Sequence, residues 1–165
     1  MGVSIERWAK PHAVATRAAE RLKEKFGDAV TGTTVFQGEV TVILDASVIV
    51  DACSLMKLDP DFHFEMLTDI AGVHFLDRDW EYEVNYLLYS FDNNCRVRLK
   101  VRLSETSHCP TVTGVWSTAN WHEREAFDLV GIVFDGHPDL RRILMPEDFE
   151  FHPLRRDFPL EGHGA

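Results

Sequence analysis

The stretch from Cys95 to Leu103 constrains this chain more than any other. Val97, Leu99, Val101 and Leu103 alternate without a break with Arg96, Arg98, Lys100 and Arg102. Successive side chains of a strand point to opposite faces, so the pattern specifies a strand with one apolar and one solvated face. Just before it, Asp92-Asn93-Asn94 carries residues that tolerate a tight turn. Earlier still, Glu81 to Phe91 alternates as well, with Tyr82, Val84, Tyr86 and Leu88 on one side. Together they predict an antiparallel hairpin whose apolar side needs a cover. The basic stripe itself reads as a solvated sheet face rather than a binding surface.

Helices supply the cover. Pro11 to Phe26 predicts an amphipathic helix, because Val14, Ala18, Leu22 and Phe26 recur at helical spacing with Arg17, Glu20, Arg21, Lys23 and Glu24 between them. Gly27 is its stop. Thr31 to Thr34 reads as a loop and Val35 to Leu44 as one strand. Asp45 or Ser47 suits the cap of a helix reaching about Lys57, and Pro60 the first turn of a second, short helix through Ile70. Val73 to Leu76 reads as a short strand and Asp77-Arg78-Asp79 as a turn. The expectation is an α+β fold, with helices packed on one face of a largely antiparallel sheet. Residues 1–30 form an N-terminal amphipathic helix, 31–135 the core domain and 136–165 an extended tail.

Ser117 to Val130 predicts a further helix, closed by Gly131 as a left-handed cap. Asn120 and Glu123 have the spacing of a capping box. On a helical wheel Ala119, Ala126, Phe127, Leu129 and Val130 define the apolar arc, and Glu123 falls inside it. Arg124, Glu125 and Asp128 lie opposite, with Trp121 among them. A carboxylate on the apolar arc must be paired or hydrogen-bonded. The preferred reading of Glu123 is a buried ion pair with Arg141 or Arg142. The alternatives are a helix cap or a side chain reaching solvent, and then a catalytic carboxylate. Trp121 reads equally as core packing or as an interface anchor.

After Gly131 the chain changes character. Prolines at 138, 146, 153 and 159 remove backbone donors and bias the residues before them to extended conformations. Only Pro138 to Leu144 retains the makings of a helical turn. Yet Ile143, Leu144, Met145, Phe149, Phe151, Leu154 and Phe158 need somewhere to bury. A stiffened, aromatic-studded segment suits wrapping along another protein at low ordering cost. The alternative is that it wraps its own domain.

Composition closes several doors. A net charge of −10 argues against nucleic acid and against direct docking on an anionic membrane. Cys53, Cys95 and Cys109 form no disulfide framework and no C-x-x-C pair. The eight histidines show no H-x-x-x-H or H-E-x-x-H spacing, and no glycine-rich phosphate loop or nucleophile elbow is present. No apolar run approaches the ~20 residues a membrane span needs, and the N-terminus lacks a signal-peptide core.

Three segments carry a resemblance. They are Ala119 to Ile132, with its E-R-E helix, then Gly136-His137-Pro138-Asp139-Leu140-Arg141-Arg142-Ile143-Leu144, and Pro153-Leu154-Arg155-Arg156-Asp157-Phe158-Pro159. Together they closely resemble the family of the C subunit of the proton-pumping NADH:quinone oxidoreductase, respiratory complex I. The resemblance covers roughly residues 35 to 160. It departs at Phe151, where the family usually carries glycine, and at His74, where an acidic residue is frequent. It implies a non-catalytic subunit of the hydrophilic arm, without flavin, iron–sulfur cluster, metal or other cofactor. Its implied partners are the arm's other subunits, chiefly the D subunit, which forms the quinone site. It would sit peripherally on the cytoplasmic side of the inner membrane, held there only through the complex. The residues expected in the structural motif and partner interface are Trp121, Glu123, Arg124, Glu125, His137, Pro138, Arg141, Arg142, His152, Pro153, Arg155, Arg156 and Asp157. The competing readings are the equivalent subunit of a related membrane-bound hydrogenase or other donor:quinone complex, and a small stand-alone enzyme using Glu123 or a histidine.

Overall fold

A computed structural model of the chain describes residues 12–104 and 108–159. Helix α1 (Ala13–Phe26) is capped by His12, whose ring Nδ1 accepts from the Val14 amide at 3.3 Å, and it buries Val14, Ala15, Ala18, Ala19 and Leu22. Strands β1 (Val30–Phe36) and β2 (Glu39–Leu44) follow, then helix α2 (Ile49–Leu58). Next come β3 (Met66–His74), β4 (Tyr82–Ser90) and β5 (Cys95–Leu103). A short strand β6 (Cys109–Pro110), helix α3 (Ala119–Val130) and a short strand β7 (Phe134–Asp135) complete the order. The sheet runs β1-β2-β5-β4-β3, antiparallel throughout except for the parallel pair β2–β5. The fold is α+β, as the patterning predicts.

The hairpin of β4 and β5 is the spine. Val84 sits opposite Val101, Tyr86 opposite Leu99 and Leu88 opposite Val97, and all six are buried. On the other face, Lys100 and Arg102 both pair with Glu83, the first at 2.9 Å, and Arg98 pairs with Glu39. The Arg102 guanidinium lies 3.8 Å from the centre of the Trp80 ring. Arg98, Lys100 and Arg102 of the basic stripe are thus matched by acids of their own sheet, and Arg102 also by Trp80 of the β3–β4 connection.

Three expectations are corrected. The segment from Val30 to Leu44 is a hairpin rather than a loop and one strand. Gln37 and Gly38 turn it with positive φ of 48° and 83°, and Thr31 to Thr34 lies inside β1. No helix follows Pro60. His63 adopts φ 44° and the chain enters β3, whose register shifts between Leu67 and Asp69. That bulge breaks the period of two by which a strand is recognised. Neither Asp45 nor Ser47 caps α2, which begins after a 3-10 turn at Ala46–Val48 with no side-chain cap.

Helix α3 packs on β3, on the core face of the sheet. Gly72 makes room for it: a methyl group there would lie 2.8 Å from Ile132 Cδ1 and 3.4 Å from Ala126 Cβ. The small parallel pair β6–β7 anchors the loop that faces α3 from the other side.

Candidate interface formed by the last helix and the tail

Helix α3 carries two fully buried carboxylates that face opposite ways. Glu123 points inward. Its Oε1 accepts from the Val112 amide at 2.7 Å and its Oε2 from the Thr111 hydroxyl at 2.5 Å. Burial raises its pKa to about 7, against the lowering effect of those two hydrogen bonds. The same pocket of core holds Tyr86, whose hydroxyl lies 3.1 Å from Cys109 Sγ, and burial pushes the Cys109 thiol up to about 12. Burial of Glu123 follows from the helical wheel. The ion pair with Arg141 or Arg142 does not form, because both arginines lie on the far side of the helix with the tail. The capping box is also absent: no side chain caps α3, and Glu123 serves the Thr111–Val112 loop instead.

Asp128 points outward, into the tail. Its Oδ2 accepts from the consecutive amides of Ile143, Leu144 and Met145 at 2.7–2.9 Å, and its Oδ1 pairs with Arg142 Nη1 at 2.6 Å. Burial raises its pKa, but these donors more than offset that and hold the carboxyl at about 2. Arg142 also donates to the carbonyl of Phe151 at 3.0 Å. Arg124 donates to the carbonyls of Arg141 and Arg142 at 3.1 and 3.2 Å, and its guanidinium sits 5.1 Å from the Trp121 ring centre. The polar side of α3 is covered in part: Arg124 is 7% and Asp128 0% exposed, while Trp121 and Glu125 stay exposed.

Further along, His152 Nδ1 donates to the Asp128 carbonyl at 2.9 Å and the Leu154 amide to the Leu129 carbonyl at 2.9 Å. Gly131, at φ 88°, lets this happen, since a Cβ there would stand 2.7 Å from the His152 ring. Phe151 packs edge-on to Phe149 and tilted against Phe158. The Arg156 amide donates to Nδ1 of buried His74 at 3.0 Å. His137 takes the Asp139 amide on Nδ1 and meets the Asn120 carbonyl through Nε2 at 3.2 Å. Between Pro138 and Leu144 there are turns and bends but no helix.

The predicted residues therefore divide. Arg124, Arg142, His137 and His152 come together across α3 and the tail, Arg156 binds His74 of β3 through its backbone amide, and Arg155 pairs with Asp157 at 3.1 Å. Arg141 turns to Asp139, and Pro153 is half-buried. Trp121 (63% exposed), Glu125 and Pro138 face outward. Residues that sequence reasoning passed over are Asp128, placed opposite the apolar arc without a partner, and Thr111, Val112 and His74. The homeless apolar residues of the tail were the one signal that the Asp128 side of α3 would be covered. Histidine spacing also overlooks His63, Glu65 and Asp92, whose potential ligand atoms all lie within 4.8 Å of one another on the surface, with His63 already hydrogen-bonded to Asp92 at 2.6 Å. Exposed groups of this kind are common without an ion.

Fold and site define a class: an α+β domain whose C-terminal segment is strapped over its last helix. Relatives give the family. Residues 42–164 match the family model described as "Respiratory-chain NADH dehydrogenase, 30 Kd subunit", and the chain belongs to that family. It is 50% identical over 138 residues to the second C subunit of the NADH-quinone oxidoreductase of Rhizobium meliloti (strain 1021), covering 84% of this chain and 76% of the relative. It is 46% identical over 148 residues to the C subunit of the NADH-quinone oxidoreductase of Geotalea uraniireducens (strain Rf4), covering 88% of each. Among solved structures, a chain of the membrane-bound sulfane sulfur reductase, an archaeal respiratory membrane complex, shares the fold. Its TM-score is 0.73 at 22% identity, over 88% of this chain and 85% of that one. Among the described residues no helix is long and apolar enough to cross a membrane.

Proposed function

We propose that this chain is a non-catalytic subunit of the hydrophilic arm of an NADH:quinone oxidoreductase that moves electrons from NADH to quinone and pumps protons. Its part is to hold a neighbouring subunit, chiefly the one that forms the quinone site, from the cytoplasmic side of the membrane. The observation that carries this reading is the strapped tail. Its backbone is fastened to α3 by Asp128 and Arg124, yet Leu144 and Leu154 remain 59% and 60% exposed, and Trp121 of α3 is 63% exposed. Exposed apolar side chains on a rigid support suit a contact with another protein, because their ordering cost is already met. The carboxylate with the raised pKa does not offer a catalytic alternative: Glu123 is fully buried and both its oxygens are engaged.

The test substitutes Leu144→Asp and Leu154→Asp together and asks whether the full chain still co-purifies with the other subunits. The isolated variant should melt where the wild type does, while assembly is lost. Normal assembly of the double variant would sink the tail as a contact. NADH oxidation by the isolated wild-type chain would sink the non-catalytic reading.

A further inference from the structure

A groove borders the seated tail, away from Leu144 and Leu154. It has a volume of about 530 Å³ and lies where the β3–β4 connection meets the end of the tail. Val73, Phe75, Leu76, Asp77 and Arg78 line one wall and Arg156 the other, over buried His74. Its cations differ in how they are satisfied. Nearby, Arg102 is paired with Glu83 and Arg155 with Asp157. Arg78 and Arg156 have no carboxylate partner among the described residues.

Arg78 is held in place all the same. Its guanidinium lies 4.8 Å from the Phe75 ring centre and 5.3 Å from that of Trp80. Stacking of this kind fixes the plane of a guanidinium and leaves its N–H edge for a carboxylate. Arg156 is positioned by its backbone bond to His74. The apolar rim is exposed, with Leu76 at 59% and Val73 at 37%. On this chain of net charge −10, Arg17 and Arg96 also lack a carboxylate partner among the described residues, but Arg78 and Arg156 line one groove and outnumber its one acid, Asp77, which leaves a place for a negative group from outside. An anionic membrane is disfavoured by that same overall charge. A carboxylate flanked by apolar side chains answers both the open arginines and the exposed rim.

We propose that this groove docks an acidic, apolar-flanked segment of another subunit of the complex. The inference rests on membership of an assembly of several subunits but uses a surface distinct from Leu144 and Leu154. Because Arg156 forms one wall, the groove exists only when the tail is seated on His74. Seating of the tail and capture of the partner are thereby coupled.

A benzophenone photo-crosslinker in place of Leu76, in the assembled complex, tests this directly. Irradiation should join Leu76's position to an Asp- or Glu-containing segment of another subunit. Arg78→Glu and, separately, Arg156→Gln should each lower the yield roughly tenfold, as loss of one member of an interfacial charge pair does. Three outcomes would overturn the proposal. They are cross-links only within this chain, for instance to residues 105–107 or 160–165, cross-links to a segment without acids, or a yield unchanged by both variants. A second photo-crosslinker at Leu154 reads the tail contact separately. A silent groove beside a productive Leu154 condemns the groove alone, and the reverse condemns the tail contact alone.

Discussion

The charged face of β5 and the charged face of α3 carry similar residues and lie in opposite surroundings. On β5, Arg96 and Arg102 are exposed, Arg98 and Lys100 are half-exposed, and the stripe meets Glu39 and Glu83 at the sheet surface. On α3, Arg124 and Asp128 are buried beneath residues 141–145 and 151–154. The difference lies in what the charges bind. The partners on β5 are other side chains, Glu39 one-third exposed and open to screening by water, Glu83 buried between Lys100 and Arg102. Those on α3 are mainly backbone amides and carbonyls of the tail, which has no sheet or helix of its own to satisfy them. The proline-rich tail pairs its backbone with itself only in separate turns, such as Phe149 to Pro146 and Phe158 to Arg155, so Asp128 and Arg124 do for the tail what a ladder does for a strand. Charge on β5 keeps a face soluble, whereas charge on α3 folds a segment.

The sharpest way to break this contrast is Asp128→Ala. It strips three amides of their acceptor and leaves Arg142, only 12% exposed in its side chain, without its anion. Removing one partner of a buried charge pair costs about 3–5 kcal/mol. Urea denaturation of the isolated chain should show that loss, and amide exchange should speed up from Ile143 to Leu154 while β4 and β5 stay protected. Uniform exchange, or a loss under about 1 kcal/mol, would mean the tail is held by something else.

The two carboxylates of α3 also separate by pH. Glu123 titrates near 7 when folded, above its ordinary 4.5, so its contribution is present at low pH and lost as pH rises through that window. Asp128 titrates near 2, below its ordinary 3.8, so its contribution is present above 3.8 and lost as pH falls towards 2. Glu123→Gln keeps an acceptor for Val112 and cannot ionise. Wild-type stability should fall by up to roughly 3 kcal/mol between pH 4.5 and 7 from this group. The variant should lack that decline. Equal slopes in urea midpoints across that range would place an uncharged or better solvated Glu123 in the core.

How much of this is legible in the sequence depends on whether a signal is local. The β4–β5 hairpin is legible because each residue's face follows from its neighbours, two positions apart. β1 is not, since only Val30 of its seven residues is buried and an edge strand open on both faces leaves no alternation to read. β3 is hidden by its bulge. At the site, the wheel shows that Glu123 is inward because that depends on α3 alone. Its partners come from the Thr111–Val112 loop, placed by the β6–β7 pair, and no helical pattern encodes them. The cover over Asp128 is missed for the same reason: a wheel knows which way a residue points and nothing of what later covers it.

The smallest effect should come from the other side of the comparison. Arg98→Ala removes a side chain that reaches Glu39 across the β2–β5 pair, with both side chains about one-third exposed. Exposed pairs contribute about 0–1 kcal/mol because water and salt compete for both ions. Its Nε is enclosed without an acceptor, so removing the group also removes a small desolvation cost. The expected change in the urea midpoint is therefore slight, and it should shrink further as salt is added. A loss comparable to that of Asp128→Ala would show that the β5 stripe is structural in the same sense as the α3 face, and the distinction between side-chain and backbone partners would fail.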